Sequence, residues 1–302
     1  DLTKLEKVKT GCTELDNRIG GLYMSEVTVL SGSNACVDCD TEYCNGKEWK
    51  KISDYTIGDK VLQYNADGIA ELVTPQRYIK SPCDELYLLQ SITGVDQCVS
   101  EDHNLVYMTS KGHLAKKSVK DMLSMHEKSN KGFSGKFYTT FRYEQGCGVD
   151  LTDDEIRLMC AIICDGHFPN IFKDKDIVRI NLKKERKKAR LEMLLKRCGI
   201  PYRKEQYTPH DLQYNTYLFH APRHEKEFGD YWYGCSANQF AIIADEILYW
   251  DGSINNELRH NSSYYSNSKK NIDFVQFAFA TIGVRTHINI DNRVGKPHSG
   301  GK

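Results

Sequence analysis

Two apolar runs of the same design end on the same dipeptide, and this repetition constrains the fold more than any other feature. One is Leu158-Met-Cys-Ala-Ile-Ile-Cys-Asp165-Gly166. The other is Gln239-Phe-Ala-Ile-Ile-Ala-Asp-Glu-Ile-Leu-Tyr-Trp-Asp251-Gly252. Their aspartates lie 86 residues apart (251 − 165). Thr152-Asp153-Asp154-Glu155 ahead of the first run has the composition of a helix start. A single Asp-Gly is an ordinary helix-ending turn. Two copies, each on an apolar helix, read as internal pseudo-symmetry.

The two copies also have similar sequels. After the first come a strand at Ile177–Leu182 and a basic helix near Glu185–Cys198. After the second come Ser263-Tyr-Tyr-Ser266, a helix near Asn271–Ile282 and a strand at Thr286–Ile290. The plan is helix, strand, helix, twice. Formal net charge is zero, yet 13 Lys/Arg face 5 Asp/Glu between Lys173 and Glu205. Such a stretch suits a DNA-facing surface or a solvated helix face.

Residues 146–302 thus resemble a LAGLIDADG homing endonuclease domain, an α+β fold with two pseudo-symmetric repeats. The resemblance implies that the two helices pack together and place Asp165 and Asp251 at the base of a DNA-binding saddle. There they would hold a divalent metal, Mg²⁺, which takes oxygen ligands and activates water for phosphodiester cleavage. Double-stranded DNA is the implied partner, with Arg179, Lys183, Lys184, Arg186 and Lys187 as candidate phosphate and base contacts.

The other end of the chain has a different character. In residues 1–35, Val27–Ser31 reads as a short strand running into Gly32-Ser33-Asn34-Ala35. A strand leading into a glycine is how a phosphate-cradling loop begins, but the second Gly, the Lys and the Ser/Thr do not follow. The segment resembles the start of RecA-like replicative helicases, broken off inside the P-loop, and cannot by itself bind ATP. From residue 36 to 145 the pattern is short strands, among them Glu48–Ile52, Lys60–Tyr64 and Glu85–Leu89, with turns at Gly46, Gly58-Asp59 and Asp67-Gly68. An all-β frame is expected.

Cys36-Val-Asp-Cys-Asp-Thr41, Gly46, Ile52, Gly58-Asp59 and Val61-Leu62 together resemble the first motif of inteins. Ser100-Glu101-Asp102-His103 stands where that family has Thr-x-x-His, with Ser replacing Thr. The resemblance implies a mostly β, horseshoe-like Hint splicing domain. Cys36 would be the nucleophile, attacking the Ala35 carbonyl to convert an amide into a thioester. His103 would protonate the departing nitrogen, and Ser100 would hold the scissile peptide. Splicing needs no cofactor.

The family's closing His-Asn is absent from Asn289–Lys302. The chain is therefore expected to need a C-terminal intein segment and C-extein as its partner. It begins at Asp1 rather than Met, which suggests a trimmed fragment. No run of about 18 apolar residues exists, so no membrane helix is expected. The 11 cysteines suit a reducing cytosol, and the resemblance implies the cytoplasm of a bacterial or phage-infected cell. The competing readings are a zinc- or redox-regulated DNA-binding protein using Cys36, Cys39 and Cys44, and a RecA-like helicase fragment.

Overall fold

The computed structural model describes residues 7–8, 22–23, 36–65, 67–90, 95–129, 135–172, 174–207, 214–253 and 262–290. The expected strand Val27–Ser31, the broken phosphate loop and Ala35 lie outside these residues. Among the described residues, no helix is long and apolar enough to cross a membrane.

The first half is built of short antiparallel pairs. Strands β1 (Glu42–Cys44) and β2 (Trp49–Lys51) form one hairpin. Gly46 sits in its turn at φ 83°, a left-handed conformation that a side chain would strain. Strands β3 (Val61–Tyr64) and β4 (Ile69–Val73) form a second hairpin, closed by Asn65, whose side chain accepts from the Asp67 and Ile69 amides. Strands β5 (Tyr87–Gln90) and β6 (Asp96–Val99) make a third, and β7 (Asn104–Met108) and β8 (Leu114–Ser118) a fourth.

The frame is not all-β as expected. Helix α1 (Val119–Ser129) follows β8 directly. It starts where the Ser118 hydroxyl accepts from the Asp121 amide, and Val119 and Met122 pack with Val99 and Leu105 in a small core. Strand β9 (Arg142–Tyr143) then returns parallel to β4.

The second half carries the main core. Helix α2 (Asp153–Asp165) opens on a capping box: Thr152 and Glu155 each satisfy the other's amide. Strand β10 (Gly166–His167) leaves its end without a loop, β11 (Ile177–Leu182) pairs with it, and helix α3 (Glu185–Arg197) comes next. A hairpin of β12 (Tyr202–Tyr207) and β13 (Tyr214–His220) completes a four-stranded antiparallel sheet in the order β10-β11-β13-β12. That hairpin is missing from the expected helix-strand-helix plan. Its charged first strand, Tyr-Arg-Lys-Glu-Gln-Tyr, lacks the apolar alternation that announces a strand.

The repeat restarts with helix α4 (Ala237–Asp251), again under a capping box, here Ser236 with Gln239. Strand β14 (Gly252–Ser253), strand β15 (Ser263–Tyr264) and helix α5 (Lys269–Thr281) complete it. Helices α3 and α5 each begin 32 residues after the start of their repeat's central helix (185 − 153 and 269 − 237). The expected strand at Thr286–Ile290 does not form: this stretch pairs with no strand among the described residues, and Ile288 and Ile290 are exposed.

Helices α2 and α4 pack side by side, which explains why both are apolar nearly all round. Each is covered by its twin, by the sheet face of Val178, Ile180 and Leu182, or by an outer helix. The halves of the chain are not separate. Phe141 and Tyr143 stack edge-on against Phe277 of α5, and Cys44, Trp49 and Leu62 join the same core.

Candidate active sites

Two centres emerge, one in each half. The first is assembled by a short antiparallel contact between residues 36–38 and 98–100. Val37 bridges Val99, and Asp38 N–H donates to the Cys98 carbonyl. The Ser100 amide donates to the Cys36 carbonyl at 2.9 Å. In return the Cys36 amide donates to Ser100 Oγ at 2.9 Å. That amide nitrogen belongs to the Ala35–Cys36 peptide bond, so the hydroxyl named from sequence grips the bond expected to break.

His103 lies on the tight turn after β6, its amide bonded to the Ser100 carbonyl. Its half-buried imidazole lies against the Cys36 main chain. Burial pushes its pKa below the ordinary histidine value, and the contact with Cys36 offsets part of that shift. Its Nδ1 is buried with no hydrogen-bond partner among the described residues. The side chains of Ser100 and His103 thus both reach the main chain of Cys36. Cys39 and Cys44 do not join them. Cys39 is exposed, whereas Cys44 is buried in the main core and accepts from the Gly46 amide.

The second centre lies where α2 and α4 end. Neither glycine after the aspartates is a left-handed helix cap: Gly166 has φ −82° and Gly252 φ −104°. Their need is steric. A Cβ on Gly166 would meet the Ile162 carbonyl oxygen at 2.7 Å, and one on Gly252 would press into the Leu248 carbonyl. The chain doubles back against its own helix at both places, which puts the two aspartates beside each other.

One ammonium, Lys187 Nζ of α3, reaches both: Asp165 Oδ2 at 2.5 Å and Asp251 Oδ1 at 3.6 Å. Burial raises the Asp165 pKa, and Lys187 opposes that shift. Lys226, not singled out from sequence, donates to the Ile162 and Ile163 carbonyls at 2.9 and 2.5 Å. It caps the C-terminal end of α2, where a cation is favoured, and burial lowers its pKa. Asp165 and Asp251 thus converge on one ammonium, which lies between their carboxylates. Among the described residues no group of three His, Cys, Asp or Glu is placed to hold a metal ion.

The candidate DNA contacts divide. Arg179 lies on the sheet face opposite the Val178–Ile180–Leu182 core, in one row with His167, Leu218 and Arg203. Its Nε is buried without a partner among the described residues. Lys183 and Lys184 are exposed at the end of β11. Arg186 is exposed, stacks on Tyr249 at 4.8 Å and donates to the Tyr249 carbonyl. Lys187 is the correction. At 8% exposure, with its charge committed to two carboxylates, it faces inward rather than toward a phosphate. Sequence could not tell Lys187 from its neighbours in a run of lysines, because only the turn of α3 decides that Lys187 and Lys188 are buried while Lys183 and Lys184 are exposed.

A third cluster went unnoticed in the sequence. Glu246 of α4 is 3% exposed and is held in bidentate fashion by Arg190 of α3, with the Trp250 indole donating at 3.0 Å. It ties α3 to α4 inside the core.

No family model matches the chain, and no curated protein matches it. Among solved structures it is similar to the "N-terminal LAGLIDADG domain of DUF199/WhiA", at 16% identity and a TM-score of 0.27, over 46% of this chain and 85% of that one. It is also similar to "full-length DUF199/WhiA from Thermatoga maritima", at 14% identity and a TM-score of 0.25, over 37% of this chain and 38% of that one. At TM-scores this low neither likeness bears on what this chain does.

Proposed function

We propose that the chain is the nucleophile-bearing part of a self-splicing intein of the Hint type, carrying a LAGLIDADG-like DNA endonuclease. The observation that carries the reading is the hydrogen bond from the Cys36 amide to Ser100 Oγ, with the His103 imidazole against the Cys36 main chain. Cys36 and Ser100 are 64 positions apart in sequence. An amide held by a hydroxyl, beside a thiol and an imidazole, has the parts for an N-to-S acyl shift. Cys36 Sγ attacks the Ala35 carbonyl, the carbon–nitrogen bond breaks, and His103 passes a proton to the leaving nitrogen. The later steps of splicing need a C-terminal segment with the cyclising asparagine.

In the second centre Asp165 and Asp251 would hold Mg²⁺, which when bound supplies charge stabilisation and an activated water for phosphodiester hydrolysis. Arg179 and Arg203 offer positive charge on the outer sheet face to double-stranded DNA, beside a His167 ring that burial and Arg179 hold toward its neutral form, and Lys183, Lys184 and Arg186 flank it. The zinc alternative for Cys36, Cys39 and Cys44 loses ground because Cys44 is inside the core while Cys39 is at the surface.

Mass spectrometry with added thiol tests the first centre. Cleavage between Ala35 and Cys36 is expected, abolished in Cys36→Ala and slowed in His103→Ala. An intact chain under these conditions, even with the C-terminal segment supplied, would overturn the reading. For the second centre, Mg²⁺-dependent cutting of DNA carrying the uninterrupted helicase sequence is expected, with loss of about 100-fold or more in Asp165→Asn. Equal cutting by that variant would remove the carboxylate from the chemistry.

A further inference from the structure

We infer that Ser81 is a further member of the acyl-shift centre, holding the Cys36 sulfur by a hydrogen bond that strengthens as the thiolate forms. The inference rests on the splicing reading above, and its test separates the two.

Cys36 Sγ lies 3.7 Å from Ser81 Oγ, within hydrogen-bond range for sulfur. The main chain of Cys36 is already fixed, its amide and its carbonyl both bonded to Ser100. The side-chain rotamer is then the remaining freedom, and the Ser81 contact selects it. The position of Ser81 is itself preset. Pro82 comes after it and keeps its backbone extended. Three residues earlier, Tyr78 donates from its hydroxyl to the Ile52 carbonyl at 3.1 Å and packs its ring against Tyr55 at 5.1 Å. The segment between β4 and β5 is pinned near the nucleophile.

The chemistry gives this contact a direction. With a neutral thiol either atom can donate. Once the thiol has lost its proton only the serine can, because a thiolate has none to give. A bond to a charged acceptor is stronger than its neutral counterpart. The interaction is therefore tighter to the reacting form than to the resting one, which is the condition for acceleration.

In the step itself the bond from Cys36 Sγ to the Ala35 carbonyl carbon forms, and the bond from that carbon to the Cys36 nitrogen breaks. The thiol proton ends on the departing nitrogen, which becomes a free amine. Nothing is oxidised or reduced. Ser81 keeps its own proton throughout.

The test is alkylation of Cys36 by iodoacetamide at about pH 7 on the whole chain, read at the Cys36 peptide by mass spectrometry. Ser81→Ala should slow it about tenfold, the scale of one lost hydrogen bond to a charged group, and Ser81→Thr should restore it. Wild-type or faster alkylation in Ser81→Ala overturns the inference. So does a rise in amide hydrogen exchange at Asp38 and Ser100 in that variant, since it would mean that the serine merely props up the 36–100 contact. Thiol-induced cleavage of the wild-type chain is scored apart. Its absence sinks the splicing reading and the acyl-shift role with it, while the alkylation rates still report whether Ser81 touches the sulfur.

Discussion

Among single residues, several groups are placed where they cost stability and can do chemistry. His103 is half-buried, and its imidazole favours the neutral form. Its folded pKa lies below the ordinary value of 6.5, so the folded chain takes up fewer protons than the unfolded one just below that pH. The His103 contribution is complete above pH 6.5, and stability falls as the pH drops from there through the folded value. Replacing His103 by Gln should flatten the acid side of a melting-temperature profile just below pH 6.5. An unchanged slope would mean that another group titrates there. Asp165 has the opposite sense: burial holds its pKa up, so ionising it costs the fold, and Lys187 returns part of the cost.

Among the elements, the two central helices show how a short sequence pattern carries geometry. Each begins under a capping box, which satisfies two amides that would otherwise lack partners. Each ends on Asp-Gly because the chain must pass against its own last turn. Gly252→Ala puts a methyl group into the Leu248 carbonyl, which backbone cannot yield easily. A loss of about 1–3 kcal/mol is expected from denaturant melts, the range for overpacking. The same substitution at exposed Gly199, where no atom lies within 4 Å but φ is 66°, separates conformational strain from crowding. A Gly252→Ala chain as stable as wild type would show that the close approach is not needed.

Across the molecule, the halves are welded by aromatic rings. Phe277 of α5 meets Phe141 and Tyr143 from the β-rich half, and Tyr233 and Phe240 from its own. Lys269 adds an ion pair to Glu42 across the same seam. Phe277→Ala should cost about 3–5 kcal/mol, as for a buried aromatic truncated to a cavity. It should also raise hydrogen exchange in β9 and α2 together, because Tyr143 and α2 share one core. Exchange confined to α2 and α4 would mean the halves unfold independently.

The periodicity of α2, the β11 strand and the basic α3 could be read before any fold, because each is a local pattern of apolar and polar positions. So could Cys36, Ser100 and His103, as residue types at a family's spacing. The β12–β13 hairpin could not, since its charged outer strand is held by backbone pairing to β13 rather than by burial of its side chains. Nor could the stretch at 286–290, whose apolar residues look like a strand but meet no partner strand among the described residues.

Local pattern alone established the repeat, the start of its first helix and its two Asp-Gly endings, because spacing along a chain sets which face a residue takes. Packing in three dimensions was needed to set Lys187 between Asp165 and Asp251, Lys226 at the end of α2, and Ser81 against the Cys36 sulfur. The physical reason is range. Those contacts join segments 22 residues or more apart, and a side chain's partner across that distance is chosen by packing rather than by pattern.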